Sequence, residues 1–466
     1  MQTDTKTLLA TAPIPKLLYR YSIPTILTLL VNYLYNIADQ IFVGQGVGIT
    51  GMAATNVAFP LTIVTIAVAL MLGDGCAANL NLCLGRKEQE AADKVISHTV
   101  TLLLGVGVLL GVLGSLFARP IVLLFGATET SFQAALDYTR IIVLGLPFLM
   151  FSSSLTAIIR ADGDPKFTMK SMMLGAAINL VLDPVFIFVF HMGVVGAGIA
   201  TVIGQVVAGS LCLSRLRSMK TVCVHRKWLR PTPAVTGQIL KLGFPSFFTQ
   251  IMTAVVQVTM NNLMGRYGAA TPFGSDVALS VYGALVKIYQ IAHAMFVGVS
   301  SATQPINSYN FGAKQYGRVK DTYKIASAIA LLVSVGWFAV YQLFPAAIGS
   351  LFVRGDEVYL EACAHMFRLY MLGFFVYGLH MTTASFFQSI GQPLKALALP
   401  FVRQGVVLIP MALFLGSRFG LDGALLAVPV ADGVSFLLAL LLIRVEFASW
   451  RRRGLLNSST DPVSKS

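Results

Sequence analysis

Residues 95–117 read VISHTVTLLLGVGVLLGVLGSLF, and this stretch decides the solvent in which the chain folds. It carries no Asp, Glu, Lys or Arg, and as a helix at 1.5 Å per residue it extends about 35 Å, enough to cross the roughly 30 Å of bilayer hydrocarbon. Stretches of the same kind recur near 17–43, 53–82, 134–158, 169–190, 194–214, 239–264, 277–306, 323–344, 362–387, 396–416 and 422–446, with short polar breaks between them. The spacing predicts an all-α membrane protein of twelve transmembrane helices. Composition agrees, with 56% hydrophobic against 12% charged residues and a mean hydropathy of +0.75, far too apolar for a water-soluble globular chain. No polar stretch is long enough to build a soluble catalytic domain, so any chemistry falls to groups on or between the helices and an enzyme is not expected.

The net charge of +14 points to topology and not to nucleic acid, because the basic residues gather at span ends. With the amino terminus inside, the inner breaks carry Arg86, Lys87, Arg160, Lys166, Lys170, the run from Arg215 to Lys241, Lys314, Arg318, Lys395 and Arg444 to Arg453, whereas the outer breaks hold only Arg119, Arg140, Arg266, Arg354, Arg368 and Arg418. The positive-inside rule then places both termini in the cytoplasm. Residues 1–16 are polar and are not expected to form a cleavable signal. The five cysteines, Cys76, Cys83, Cys212, Cys223 and Cys363, have no metal-ligand spacing and read as small apolar residues.

The chain repeats itself. Ser22-Ile23-Pro24-Thr25 matches Gly243-Phe244-Pro245-Ser246, Leu84-Gly85-Arg86-Lys87 matches Phe311-Gly312-Ala313-Lys314, Gly163-Asp164-Pro165 matches Gly391-Gln392-Pro393, and Gly193 to Gly196 matches Gly420 to Gly423. Six spans separate each pair, so the halves enter the membrane in the same direction and are related by a pseudo-twofold along its normal. The expected plan is a cytoplasmic segment at 1–16, a first six-helix bundle at 17–214, a cytoplasmic linker at 215–238, a second bundle at 239–446 and a cytoplasmic tail at 447–466. Two facing bundles leave a cleft, and rocking one against the other gives alternating access most simply.

A carboxylate at the centre of hydrocarbon costs on the order of 2.5 to 3.5 kcal/mol on insertion scales, so intramembrane acids come first. Asp39 falls in span one and Asp183 in span five, within Asn179-Leu180-Val181-Leu182-Asp183-Pro184, where the spacing of four stacks Asn179 and Asp183 on one face. Pro184 frees an upstream carbonyl, and Thr201 on span six offers a hydroxyl. Asp39, Asn179, Asp183 and Thr201 together form an all-oxygen cluster that suits a hard cation such as Na⁺. The same cluster suits a proton, since burial and a neighbouring carboxylate both penalise the charged form. The second half has no such acids, with Met260 at the place of Asp39. It is richer in Gln250, Met252, Gln257, Met260, Tyr282, Tyr289, Met295, Phe296, Tyr370 and Tyr377, a surface that suits varied apolar or cationic ligands or serves as ordinary helix packing.

Lys287, Arg403 and Asp432 also fall in spans. Lys287, near the middle of span eight, needs an anion or a wet cavity, and Asp432 is its candidate partner in either a structural pair or a substrate gate. Asp74 is expected to reach the interface, and His293 and His380 to be packed and hydrogen-bonded. Pro24 is expected to kink span one and act as a hinge. The glycine-rich runs 105–114 and 193–204 make no phosphate-binding fingerprint and suit helix–helix contact.

On Ile23-Pro24-Thr25 with Tyr35 to Gly44, Ala53 to Pro60, Arg160 to Pro165, Asn179 to Pro184, and Gln304-Pro305-Ile306 with Asn310 to Lys314, the chain resembles the multidrug and toxic compound extrusion (MATE) family, along essentially its whole length. Gly73-Asp74-Gly75 before Leu84 to Lys87 looks most like the MepA-like branch. The resemblance implies a V of two six-helix lobes that exports organic, often cationic, compounds against an inward flow of Na⁺ or H⁺. It implies a cation site at Asp39, Asn179, Asp183 and Thr201, with a tyrosine that Tyr138 matches, and a helix that bends at Pro24. Another branch uses acids of the second lobe, which this chain lacks on span seven. The expected function is therefore a cation-coupled multidrug antiporter, acting as a monomer on small organic molecules, with no cofactor beyond its coupling ion. The substrate surface is expected to include Gln257, Met260, Tyr282, Lys287, Tyr289, Met295 and Arg403. The alternative is a flippase for a lipid-linked sugar or peptidoglycan precursor, whose cavity should be strongly cationic; a channel or membrane enzyme finds no filter-like loop or catalytic constellation.

Overall fold

In a computed structural model, residues 5–47, 49–125, 132–352 and 357–456 are described, and these are helical with no strand among them. Arg354, named above among the outer basic residues, and 457–466 of the expected tail lie outside the described residues. The spans are α1 (Ile14–Gly46), α2 (Ile49–Gly85), α3 (Gln89–Leu116), α4 (Phe132–Ala161), α5 (Pro165–Pro184), α6 (Gly193–Arg215), α7 (Pro233–Gly268), α8 (Gly274–Gly312) and α9 (Tyr316–Leu343). A bent pair, Glu357–Tyr370 with Phe374–Ser389 at 45°, makes α10. The stretch Pro393–Arg452 runs 60 residues, about 90 Å if straight and thus three times the hydrocarbon thickness. It breaks at Gly420, where φ is 63° and ψ is −136°, and so supplies two spans, α11 (393–419) and α12 (421–452). Nine spans, the bent pair and these two make twelve.

The backbone carries the repeat that the sequence announces. Positive φ recurs at matched positions: Lys87 (64°) with Lys314 (61°), Gly163 (94°) with Gly391 (78°), and Gly193 (58°) with Gly420 (63°). Each pair ends one span or turns the chain into the next, where a left-handed residue stops the helix. Asp164 then caps α5 by accepting from the Phe167 amide at 3.3 Å, with Pro165 in the first turn.

Contacts gather the chain into two compact units, Met1–Thr11 with Ile23–Gln250, and Ala12–Ser22 with Ile251–Ser466. The division falls inside α1 beside Pro24 and inside α7 just past the matching Pro245. Within the first unit, the start of α7 lies against α2 at backbone distance. A Cβ on Gly243 would stand 1.7 Å from the Met71 carbonyl oxygen, and one on Gly75 would stand 2.1 Å from that of Ile239. No rotamer relieves a clash with backbone, so Gly243→Ala must force the helices apart. We expect it to lower the thermal unfolding midpoint and the folded yield in size-exclusion profiles, an overpacking cost of about 1–3 kcal/mol or more; an unchanged profile would contradict this packing. Asp74 belongs to the same contact. It accepts from Ser246 Oγ at 2.8 Å and stands 3.9 Å from Arg160, because a buried acid needs partners.

Candidate functional site

Four helices of the first unit deliver the predicted cluster. On α5, Asn179 Nδ2 donates to Asp183 Oδ1 one turn later and to Thr201 Oγ1 on α6, both at 3.3 Å. Those bonds require α5 and α6 to lie close, and a glycine pair permits it: a Cβ on Gly175 would be 2.7 Å from the Gly204 carbonyl oxygen, and the converse distance is also 2.7 Å. Beyond Asp183 the helix loosens at Pro184 into a π-helical turn, Val185–Val189, the expected result of a proline that cannot donate. From α1, the Asp39 carboxyl comes within hydrogen-bonding reach of Asp183. Tyr138 on α4 adjoins Thr201. The structure thus brings Asp39, Asn179, Asp183, Thr201 and Tyr138 together.

The cluster is buried, with Asp183 fully enclosed and Asp39 9% exposed. Two buried carboxylates at close range repel, so the pair suits one shared proton or one cation between its oxygens. Three buried oxygens have no hydrogen-bond partner: Asp39 Oδ1, Asn179 Oδ1 and Asp183 Oδ2. Buried acceptors are rarely left so, and three on adjoining side chains have the chemistry that hard cations prefer. Among the described residues no group of three or more His, Cys, Asp or Glu could hold a metal ion; the three open oxygens are two carboxylate and one amide.

Sequence reasoning passed over two neighbours. Tyr35, one turn before Asp39, lies within electrostatic range of both acids, and its spacing of four from Asp39 was the available signal. Gln40, next to Asp39, donates to Thr55 on α2 at 3.3 Å; nothing in the sequence marks that bridge. Pro24 lies inside a helix that continues through it, and its carbonyl accepts from Thr28 Oγ1 at 2.7 Å.

The second unit holds a different polar knot. Arg403 lies in a π-helical stretch, Phe401–Leu408, and its Nε donates to Asp432 Oδ1 at 2.8 Å with both side chains buried. Its guanidinium sits 4.9 Å from the Tyr377 ring centroid, and Tyr377 accepts from the Tyr289 hydroxyl at 2.7 Å. His293 stacks on Tyr289 at 5.7 Å, and His380 Nδ1 bonds Ser435 at 2.5 Å. Both histidines are packed, as expected. The expected pairing of Lys287 with Asp432 fails, since Asp432 belongs to Arg403; Lys287 is exposed, with its ammonium 5.9 Å from the Phe352 ring. A rotation of one helix face decides that choice, and a flexible lysine stem carries its charge outward. Of the other expected substrate residues, Met260 and Tyr282 lie in the hydrophobic core of the second unit, with Tyr289 packed against it. Gln257 is half-buried, and Met295 Sδ accepts from Trp337 Nε1 at 3.3 Å.

Comparison with known proteins agrees with this architecture. The MatE family model matches residues 24–185 and again residues 245–414, one copy for each half of the repeat, with Pro24 and Pro245 at the two starts. Multidrug export protein MepA of Staphylococcus haemolyticus (strain JCSC1435) is 26% identical over 429 residues, 92% of this chain and 93% of that one. The protein of the same name from Staphylococcus aureus (strain MRSA252) is 24% identical over 434 residues, 93% and 94% of the two chains. Among solved structures, an outward-facing conformation of a multidrug resistance MATE family transporter of the MOP superfamily superposes with a TM-score of 0.87 at 26% identity, covering 96% of this chain and 99% of that one. Two copies of one family model on twelve spans leave a single assignment: the chain belongs to the MatE family of multi-pass membrane transporters.

Proposed function

We propose that this protein is a cation-coupled exporter of organic, often cationic, compounds, acting in a bacterial plasma membrane with both termini cytoplasmic. One observation carries the coupling: two buried carboxyl groups meet beside Asn179, Thr201 and Tyr138, with three oxygens left without donors. A coupling site must bind a cation from one side and give it up to the other, and a carboxyl pair that carries one negative charge when loaded with a single cation and two when empty responds to one ion at a time. Loading takes the pair from two negative charges to one, emptying restores the second, and the two charge states favour different helix arrangements around α1 and α5. Alternating access then exchanges cargo for ion. The similarity to multidrug export proteins supports drugs as the cargo.

The flippase alternative needs uncompensated positive charge to hold a pyrophosphate. Arg403 is neutralised by Asp432, and the similarity to multidrug export proteins supports export. The carboxyl–carboxyl contact favours H⁺ as the coupling ion. Ethidium efflux from loaded cells should then persist when K⁺ replaces Na⁺ at fixed pH and stop when the pH gradient is collapsed; efflux that follows Na⁺ instead would transfer the site to sodium, and resistance equal to that of cells lacking the protein would remove the export reading.

A further inference from the structure

The break between α6 and α7 was expected as a linker, and it carries six basic residues from Arg215 to Arg230 with no acid among them. It is not loose chain. Asp162, in the turn after α4, accepts from the amides of Lys220 at 2.8 Å and Thr221 at 2.7 Å and from the Thr221 hydroxyl at 2.7 Å. Burial raises the Asp162 carboxyl above its ordinary range, and these donors pull it back. Near the start of α3, Asp93 accepts from the Cys223 amide at 2.9 Å and Ser97 Oγ from the His225 amide at 3.0 Å, while His98 bonds Thr232 at 3.1 Å. The strap is therefore stitched along its backbone to the ends of α3 and α4.

That stitching consumes backbone groups and leaves the basic side chains outside. Arg217, Arg226 and Arg230 are exposed, and none of the ion pairs among the described residues includes them. Trp228 lies between them, half-buried, with the Lys227 ammonium 4.0 Å from its ring centroid. Orientation in the membrane needs only the loop's charge; it gives no reason to fix the backbone by two buried aspartates. A fixed backbone holds guanidinium groups ready for a phosphodiester, which they bind in a planar fork, and a tryptophan at the same level suits the headgroup layer. The strap also lies where the ends of four spans, α3, α4, α6 and α7, meet.

We propose that this strap is a docking surface for the anionic phospholipid headgroups of the cytoplasmic leaflet. It rests on the orientation given above and not on the export reading, so the two fail separately. Each basic side chain at an anionic leaflet contributes roughly fivefold to binding, so the three arginines together supply about a hundredfold.

The test uses the purified full chain in detergent, titrated with phosphatidylglycerol, with phosphatidylcholine or with inorganic phosphate, read as the shift in thermal unfolding midpoint and as lipid retained in native mass spectra. Phosphatidylglycerol should stabilise the wild type, and the Arg217→Gln/Arg226→Gln/Arg230→Gln variant should need about a hundredfold more of it, with its midpoint in phosphatidylcholine unchanged. An Arg451→Gln/Arg452→Gln/Arg453→Gln variant, which loses the same charge elsewhere, should respond as the wild type does. The proposal is overturned if the strap variant keeps the wild-type response, if the tail variant loses it equally, or if inorganic phosphate alone reproduces the shift.

Discussion

Asp183→Asn expressed in a host stripped of its own drug pumps should give the ethidium resistance of empty vector, at wild-type protein level. The amide keeps the shape of the carboxyl and can still bond Asn179, so packing at α5 and α6 survives. What it loses is the second ionisable group. With Asp39 alone there is no shared proton between two carboxyls, and the oxygen set for a hard cation loses its charge. Asp39→Asn should act in the same way, and the double variant should be no worse than either single one, because two halves of one site do not add. Resistance retained in both single variants would separate the acids from coupling.

Asp432→Ala should be the most destabilising single change in the second unit. It leaves Arg403 buried with its charge uncompensated, a loss of about 3–5 kcal/mol, whereas replacing both partners by apolar residues is often neutral. Arg403→Met/Asp432→Leu should therefore recover most of the thermal midpoint that Asp432→Ala loses. The same pair separates two roles. If the knot only holds α11 and α12 together, the recovered double variant exports ethidium; if the ion pair gates cargo, stability returns and export does not.

The repeat is legible in the sequence because it rests on glycine and proline, residues whose backbone demands survive when everything around them changes. Gly163 and Gly391 turn the chain with positive φ although Asp164 and Gln392 beside them differ. The acid cluster is legible for a related reason. Few residue types tolerate hydrocarbon, so Asp39 and Asp183 stand out, and a spacing of four ties Asn179 to Asp183 without any tertiary knowledge. Partner choice across helices is another matter. Whether Asp432 meets Lys287 or Arg403 depends on the rotation of α8, α11 and α12 about their axes, which hydropathy leaves free on helices buried on most sides. Asp74 illustrates the same limit, since Ser246 and Arg160 reach it from distant parts of the sequence. The strap is the furthest from legible, because a charge run with prolines looks alike whether it hangs free or is stitched down by Asp93 and Asp162.

The central claim is that the acid pair of the first lobe trades a small cation for cargo. Adding ethidium to purified protein in weakly buffered solution, and following pH together with labelled sodium, measures that trade without a membrane or a gradient. The wild type should release a proton, or a sodium ion if it was loaded with sodium, and Asp39→Asn/Asp183→Asn should release neither while remaining folded. Undiminished release from the double variant would contradict the account.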